Sequence, residues 1–318
     1  MVKALKISIY YLKLFRWPNL LVVALTLIMM RYFVLKPILE QAGFHLMLPT
    51  TYFIFIVIAT MLISAAGYVI NDYFDRKTDL INRPQKVIVG KIIPRRIAIL
   101  WHWFLTISGV ILGLYVSYKL NLIHLSLIFV LVSGTLWFYS TTYKNQFLLG
   151  NIIIAFLVAL VPLILLLYEL PLLVRVHRLD ILANNISLKS LTLWIGGYTI
   201  FAFTTNLIRE IVKDIEDFEG DFVYGRKTIP IVWNVNGAKA IVSLLNSFIL
   251  VSATYILIAN SVQIIAVIYG VVVIILPLVY FQYLLIKANS VNEYHKLSSL
   301  LKLVMVLGLG FCVVFHYL

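Results

Sequence analysis

Nine apolar stretches, each close to the length of a bilayer crossing, constrain this chain more than any other feature. A spanning helix needs about 20 mostly apolar residues. Such segments run over 18–35, 51–70, 97–117, 121–138, 147–169, 191–208, 239–259, 262–285 and 299–317. They are too long for transmembrane strands, which alternate over about ten residues. Of the 318 residues, 62% are hydrophobic and 12% charged, and the mean hydropathy is +1.00. A soluble domain carries roughly a quarter charged residues. A soluble globular enzyme, a disordered chain and a disulfide scaffold are thereby excluded, and the one cysteine, Cys312, has no partner for an internal bridge. The fold class expected is all-α, a polytopic membrane protein with a bundle of nine transmembrane helices in one domain over 1–318.

The segment before the first span interleaves Lys3, Lys6, Lys13 and Arg16 with Leu5, Ile9, Leu12 and Phe15, the pattern of an interfacial helix over 1–17. No small-residue cleavage site follows the first apolar run, so a removable signal peptide is not expected. Nine crossings put the two ends on opposite faces, and the basic residues decide which. With the N-terminus cytoplasmic, the inner segments hold 20 of the 26 Lys and Arg, and the outer side, Arg31 included, holds 6. That is a positive-inside signature. The expectation is an integral protein of the cell (inner) membrane, N-terminus cytoplasmic and C-terminus outside. The net charge of +13 then needs no nucleic acid to explain it.

Nine of the 13 acids fall in two short stretches. Asn71-Asp72-Tyr73-Phe74-Asp75-Arg76-Lys77-Thr78-Asp79 follows the second span, and Glu210 to Asp221 follows the sixth. Four crossings separate them, so both emerge on the same cytoplasmic face, in active-site loops expected over 71–96 and 209–238. Asn71, Asp75 and Asp79 recur every four residues, as do Asp217 and Asp221, with Asp214 an i−3 neighbour of Asp217. Residues three or four apart share a helix face. Two carboxylates about 6 Å apart at an effective dielectric near 20 repel by roughly 3 kcal/mol, so two facing rows call for cations between them. Hard oxygen ligands with free coordination positions suit Mg²⁺, which binds through a few carboxylates plus substrate phosphates. One acidic loop alone is most simply a solvated charge run; two on one face, with matching spacing, are not. Arg76, Lys77, Arg83, Lys86, Arg209, Lys213, Arg226 and Lys227 flank them, as an anionic ligand requires, although each also suits an anchor at the membrane surface.

These residues resemble the signatures of the UbiA-type intramembrane prenyltransferases. Asn71-Asp72-x-x-Asp75-x-x-x-Asp79 is similar to the first motif of that family, and Asp217-x-x-x-Asp221 followed by Gly225-x-Lys227-Thr228 to the second. Arg16-x-Pro18-Asn19, Asn82-Arg83-Pro84, and Tyr139-Ser140-x-x-x-Lys144 with Gly150-Asn151 carry the resemblance over most of the chain, in order. It implies Mg²⁺-dependent transfer of a prenyl group from a prenyl diphosphate donor to a lipophilic acceptor among membrane lipids. By it, Asp75, Asp79, Asp217 and Asp221 are the catalytic metal-binding residues, with Asp72 and Asp214 alongside them on the metal and Asn71 in support. Arg83, Tyr139, Lys144, Lys213 and Lys227 would contact the diphosphate.

The run Arg209-Glu210-Ile211-Val212-Lys213-Asp214-Ile215-Glu216-Asp217 looks most like the digeranylgeranylglyceryl phosphate synthase branch, which implies a geranylgeranyl donor and a geranylgeranylglyceryl phosphate acceptor. An aromatic acid of quinone biosynthesis is the alternative acceptor. The run Lys86-Val87-Ile88-Val89-Gly90 departs from the family pattern, and the outer loop near 170–190 matches nothing in it. A divalent-cation transporter would place ionisable groups near midmembrane, whereas these spans are nearly free of acids. A metal-dependent phosphatidyl-group transferase would open its motif with D-G-x-x-A-R, which is absent. The six histidines show no metal-ligand spacing, Cys312 reads as a packing residue, and Ser64-Ala65-Ala66-Gly67 as a close helix approach.

Overall fold

The computed structural model describes residues 2–183, 188–259 and 264–316. Among them, nine helices are long and apolar enough to cross a bilayer: Trp17–Gln41, Thr50–Asn82, Arg95–Lys119, Ile123–Thr141, Leu149–Ile181, Lys189–Glu216, Asn234–Ala259, Ile264–Lys287 and Val291–Val314. Every apolar segment reappears as a helix in the expected order. Met1, residues 184–187 of the outer loop, 262 and 263 of the eighth segment and 317 of the ninth lie outside the described residues. The described chain contains no strand, only an isolated bridge between Val89 and Ile93.

The main differences from the sequence reading are at the polar ends of two spans. The second span continues through Asn82, so Asp72, Asp75 and Asp79 lie in its last three turns, not in a loop. Neither glycine nor proline interrupts residues 71–82, and the helix stops where Pro84 bars Arg83 from a helical conformation; Arg83 has φ −147° and ψ 60°. The sixth span likewise runs to Glu216, pauses at Asp217, and resumes as the short helix Phe218–Val223, which carries Asp221. A turn at Gly225 follows, with φ +66°, a conformation that glycine adopts without steric cost.

Apolar residues fill the bundle and also coat it. Leu27, Met30, Ile56, Leu165 and Ile195 are buried in one core between the first six spans, and Ile208, Val212, Val242, Phe281 and Leu301 in another between the last four. Leu131, Leu244, Val251 and Ile258 face outward and exposed, as a hydrocarbon surround permits. Arg31, counted with the outer charges in the sequence, is buried at 3% exposure within a π-helical turn, Met30–Leu35. Its Nη2 donates to the Leu48 carbonyl at 2.7 Å and its guanidinium lies 4.5 Å from the Phe53 ring. Glu169, a buried acid within the fifth span, accepts from the backbone N–H groups of Met47 and Leu48. The spans are thus less bare of charge than the sequence reading allowed.

The N-terminal helix, Val2–Leu14, joins a third core beside the acidic helix ends. Leu14 packs with Ala65, Val69, Val89 and Ile93, and Tyr11 and Phe15 pack their rings against Trp101. Arg16 then turns the chain into the first span in a left-handed conformation, φ 51°, which costs a non-glycine residue about 1–2 kcal/mol.

Candidate active site

The two acidic segments meet at one end of the bundle and are stitched together by side chains of the second span. Asn82 Nδ2 donates to the Asp217 carbonyl at 3.0 Å, and its Oδ1 accepts from the Gly220 N–H at 2.8 Å. An added Cβ at Gly220 would lie 2.5 Å from Asn82 Nδ2, so a side chain there would have to displace the bridging amide. Arg83 Nη2 lies 3.0 Å from Glu216 Oε1 and 2.8 Å from Asp217 Oδ1. Arg226 crosses between the motifs: Nη1 donates to Asp221 at 2.9 Å, while Nη2 bonds Asp75 and reaches Thr78 Oγ1 at 3.2 Å. From the turn after the fourth span, Lys144 Nζ reaches Asp75 at 2.5 Å. Arg16 pairs with Asp72 at 2.7 Å, and Asn151 donates to Asp214 at 2.8 Å. Asp72, Asp75, Asp217 and Asp221 are therefore each compensated by a cation of the chain itself.

Arg16, Asp72, Asp75, Arg83, Lys144, Asp214, Asp217, Asp221 and Arg226 line a polar cavity of about 520 Å³, and the segment Gln85–Ile88 together with Ile92 forms one of its walls. The loop whose sequence departs from the family pattern thus lies over the acids, anchored by buried Val87, Val89 and Ile93. A second, largely apolar cavity of about 250 Å³ runs between the spans, lined by Val22, Thr60, Ile63, Phe129, Leu136, Val161 and Ile164. Arg16, Asn71, Tyr139, Glu210 and Lys213 line both cavities and form the wall they share.

Burial dominates the electrostatics. It pushes Asp221 up to about 6, against the pull of Arg226 and with the support of neighbouring Asp217 and Asp75. Burial raises Asp217 in the same way, Arg83 opposing it. Lys144 is lowered by burial, with Asp75 resisting. Arg226 is held above its ordinary value because Asp75 and Asp221 outweigh its own burial.

The donor set fits a hard divalent cation. It consists of carboxylate and amide oxygens, and Asn71 Oδ1 is buried in the shared wall with no hydrogen-bond partner. Among the described residues no three His, Cys, Asp or Glu side chains converge closely enough to hold a metal as they stand; Arg and Lys occupy the carboxylates instead. Asp79 lines the cavity without a side-chain ion pair.

Asn71, Asp72, Asp75, Asp79, Arg83, Tyr139, Lys144, Lys213, Asp214, Asp217 and Asp221 all line this cavity. Lys227 does not: it is exposed, its backbone N–H bonds the Asn145 carbonyl, and the turn at Gly225 aims Arg226 inward instead. The spacing had marked both basic residues, but only the turn decides which of them points in. The close helix approach read at 64–67 is present at Gly67, where an added Cβ would lie 3.0 Å from Leu136 Cδ2. Ala65 and Ala66 are core residues, whereas Ser64 and Gly67 line the apolar cavity. Glu210 is a cavity residue to which the sequence had assigned no individual role, and Arg226, marked there only as a flanking cation, bridges the two motifs. Among the histidines, His102 is buried against the Ala66 carbonyl at 3.0 Å and His295 pairs with Glu216 at 2.9 Å. The side chain of His316 lies outside the described residues.

A cavity rich in charged side chains at the bundle end thus shares a five-residue wall with a largely apolar one between the spans. Residues 41–306 match the model of the UbiA prenyltransferase family. The chain belongs to that family and is a prenyltransferase. It is 31% identical to a digeranylgeranylglyceryl phosphate synthase of Thermococcus gammatolerans over 78% of this chain and 80% of the relative. Its fold resembles a solved structure of digeranylgeranylglyceryl phosphate synthase in membranes, with a TM-score of 0.64, 22% identity and coverage of 98% and 99% of the two chains. It also resembles a UbiA homologue from Archaeoglobus fulgidus bound to DMAPP and Mg²⁺, with a TM-score of 0.57, 13% identity and coverage of 97% and 99%. At those identities the two structures speak for the fold.

Proposed function

We propose that the chain, as one domain over 1–318, transfers a geranylgeranyl group from its diphosphate to geranylgeranylglyceryl phosphate, with Mg²⁺, and releases pyrophosphate. The observation that carries this is the shared wall: a donor with its diphosphate among the acids and its tail in the apolar cavity has its breaking C–O bond at Asn71, Tyr139, Glu210 and Lys213. The choice of acceptor rests on the curated relatives, several of which carry the synthase name. The basic inner segments support an N-terminus on the cytoplasmic side and a C-terminus outside, in the cell membrane.

Asp75, Asp79, Asp217 and Asp221, with Asp72 and Asp214 beside them and Asn71 in support, would hold Mg²⁺. Bound there, the metal stabilises charge on the departing pyrophosphate as a Lewis acid. Arg83, Lys144, Lys213 and Arg226 supply preorganised positive charge to the same oxygens. The allylic C–O bond breaks with its electron pair going to pyrophosphate. The acceptor hydroxyl oxygen bonds the allylic carbon, and its proton passes to an oxygen of the pyrophosphate. Phe129, Leu136, Val161 and Ile164 exclude water, which would otherwise quench the carbocation.

The test is turnover by the purified full chain with geranylgeranyl diphosphate and Mg²⁺, offering geranylgeranylglyceryl phosphate, 4-hydroxybenzoate or a naphthoate, with EDTA as control. Metal-dependent product with the glycerol phosphate alone is expected. Product only with an aromatic acid would reassign the acceptor.

A further inference from the structure

The charges lining the apolar cavity do not balance. Arg16, Arg209, Lys213 and Lys302 line it, and Glu210 is its one carboxylate. Asp72 takes up Arg16 from the polar side. Arg209 and Lys213 share the single Glu210, at 3.1 and 3.3 Å. Lys302, on the ninth span, donates to the neutral amide of Asn19 at 2.7 Å and forms no ion pair among the described residues, and Arg209 Nε is buried without a hydrogen-bond partner. Both side chains are part-buried, and both line a cavity in which an anion can sit.

Resting on the acceptor reading above, we propose that Arg209 and Lys302, with Asn19, form a subsite for the phosphate of the acceptor lipid. Neither Arg209 nor Lys302 lines the polar cavity, which has its own cations in Arg83, Lys86, Lys144 and Arg226; the diphosphate is therefore served without them. In the acceptor, phosphate and reacting hydroxyl sit on neighbouring glycerol carbons. A phosphate held on the apolar side of the shared wall leaves that hydroxyl at the wall, where the donor carbon lies. The guanidinium offers a fork of donors to phosphate oxygens and the ammonium a point charge. The pair would select a phosphate-bearing acceptor over an uncharged lipid alcohol.

Steady-state kinetics of the full chain with both substrates varied provides the test, using Lys302→Met, Arg209→Gln and the conservative Lys302→Arg. Loss of one charge-assisted contact should raise the acceptor KM about tenfold or more, with donor KM unchanged and Lys302→Arg close to wild type. A rise in donor KM, or no change in either, overturns the subsite. A second arm measures thermal stabilisation without donor or metal. Geranylgeranylglyceryl phosphate should stabilise the wild type and not Lys302→Met, while its dephosphorylated alcohol and inorganic phosphate stabilise neither. Equal stabilisation of both proteins, or stabilisation by inorganic phosphate alone, also overturns it. This arm needs no turnover, so it separates a failed subsite from a failed assignment of the reaction.

Discussion

Arg83 Nη2 stands 2.8 Å from Asp217 Oδ1, joining the end of the second span to the first acid of the second motif. Because the same nitrogen also lies 3.0 Å from Glu216, one guanidinium fixes the distance between the two acidic helix ends. Arg83→Ala should lower kcat about 100-fold or more, as expected when one preorganised charge is removed from a charge-separating step. Arg83→Lys, which keeps charge and loses the fork, should recover part of that in the same assay.

Removing an acid from either row should be more severe. Asp75→Ala and Asp217→Ala are each expected to abolish turnover, by about 1,000-fold or more, while expression and detergent-extracted yield hold. Retained activity in both variants would remove the metal-diphosphate assignment.

Asp221 ionises near 6 because it is buried. With Asp221 holding Mg²⁺ as proposed, proton and metal would compete for one carboxylate, so the apparent Mg²⁺ requirement should rise about tenfold per pH unit as pH falls below 6. For stability the sign is reversed. The metal-free fold binds this proton more tightly than the unfolded chain, whose ordinary value is 3.8. Its stabilisation is therefore complete below that value and lost as pH rises through 6. Thermal melts of the metal-free chain across pH 4 to 7 read this directly, and added Mg²⁺ should restore the midpoint at the upper end.

Gly220 has no room for a side chain beside Asn82. Gly220→Ala should displace the short helix carrying Asp221, costing about 1–3 kcal/mol in stability and most of the activity. Melting temperature and kcat measured together distinguish this from simple unfolding.

Thr60 lies three helical turns beyond Asn71 on the second span, about 16 Å along its axis, and lines the far part of the apolar cavity. Thr60→Trp should shorten the space for the donor tail. Its kcat/KM with geranylgeranyl diphosphate should fall, while that with a geranyl donor holds.

The apolar segments and the acidic rows were legible in the sequence because each depends on local pattern, length in one case and four-residue spacing in the other. What remained hidden depends on geometry that spacing does not encode. The second and sixth spans outlast their apolar stretches because polar residues are buried at the helix ends against one another, as Asp75 and Asp221 are against Arg226. Arg226 and Lys227 are adjacent in sequence and opposite in orientation, a difference made by the backbone at Gly225. Ser64 and Gly67 reach the cavity while Ala65 and Ala66 do not, because successive positions on a helix turn about 100°. The third signal was one of arrangement: nothing in the order of residues brings Lys302 beside Asn19, 283 positions away.

The pairing of Asp72, Asp75, Asp217 and Asp221 with resident cations gives the site the logic of an ion exchanger. A divalent ion binding at Asp75 or Asp221, as proposed, would have to displace Lys144 or Arg226, and the displaced side chain would then need an anion. On the proposed function the diphosphate would be that anion, and it would in turn bring oxygens for the metal. Neither guest alone leaves the charges matched, and both together do. Metal and donor should therefore reinforce each other's affinity by the same factor, in either order of addition, and an isolated pyrophosphate without metal should hold poorly once the prenyl chain has gone.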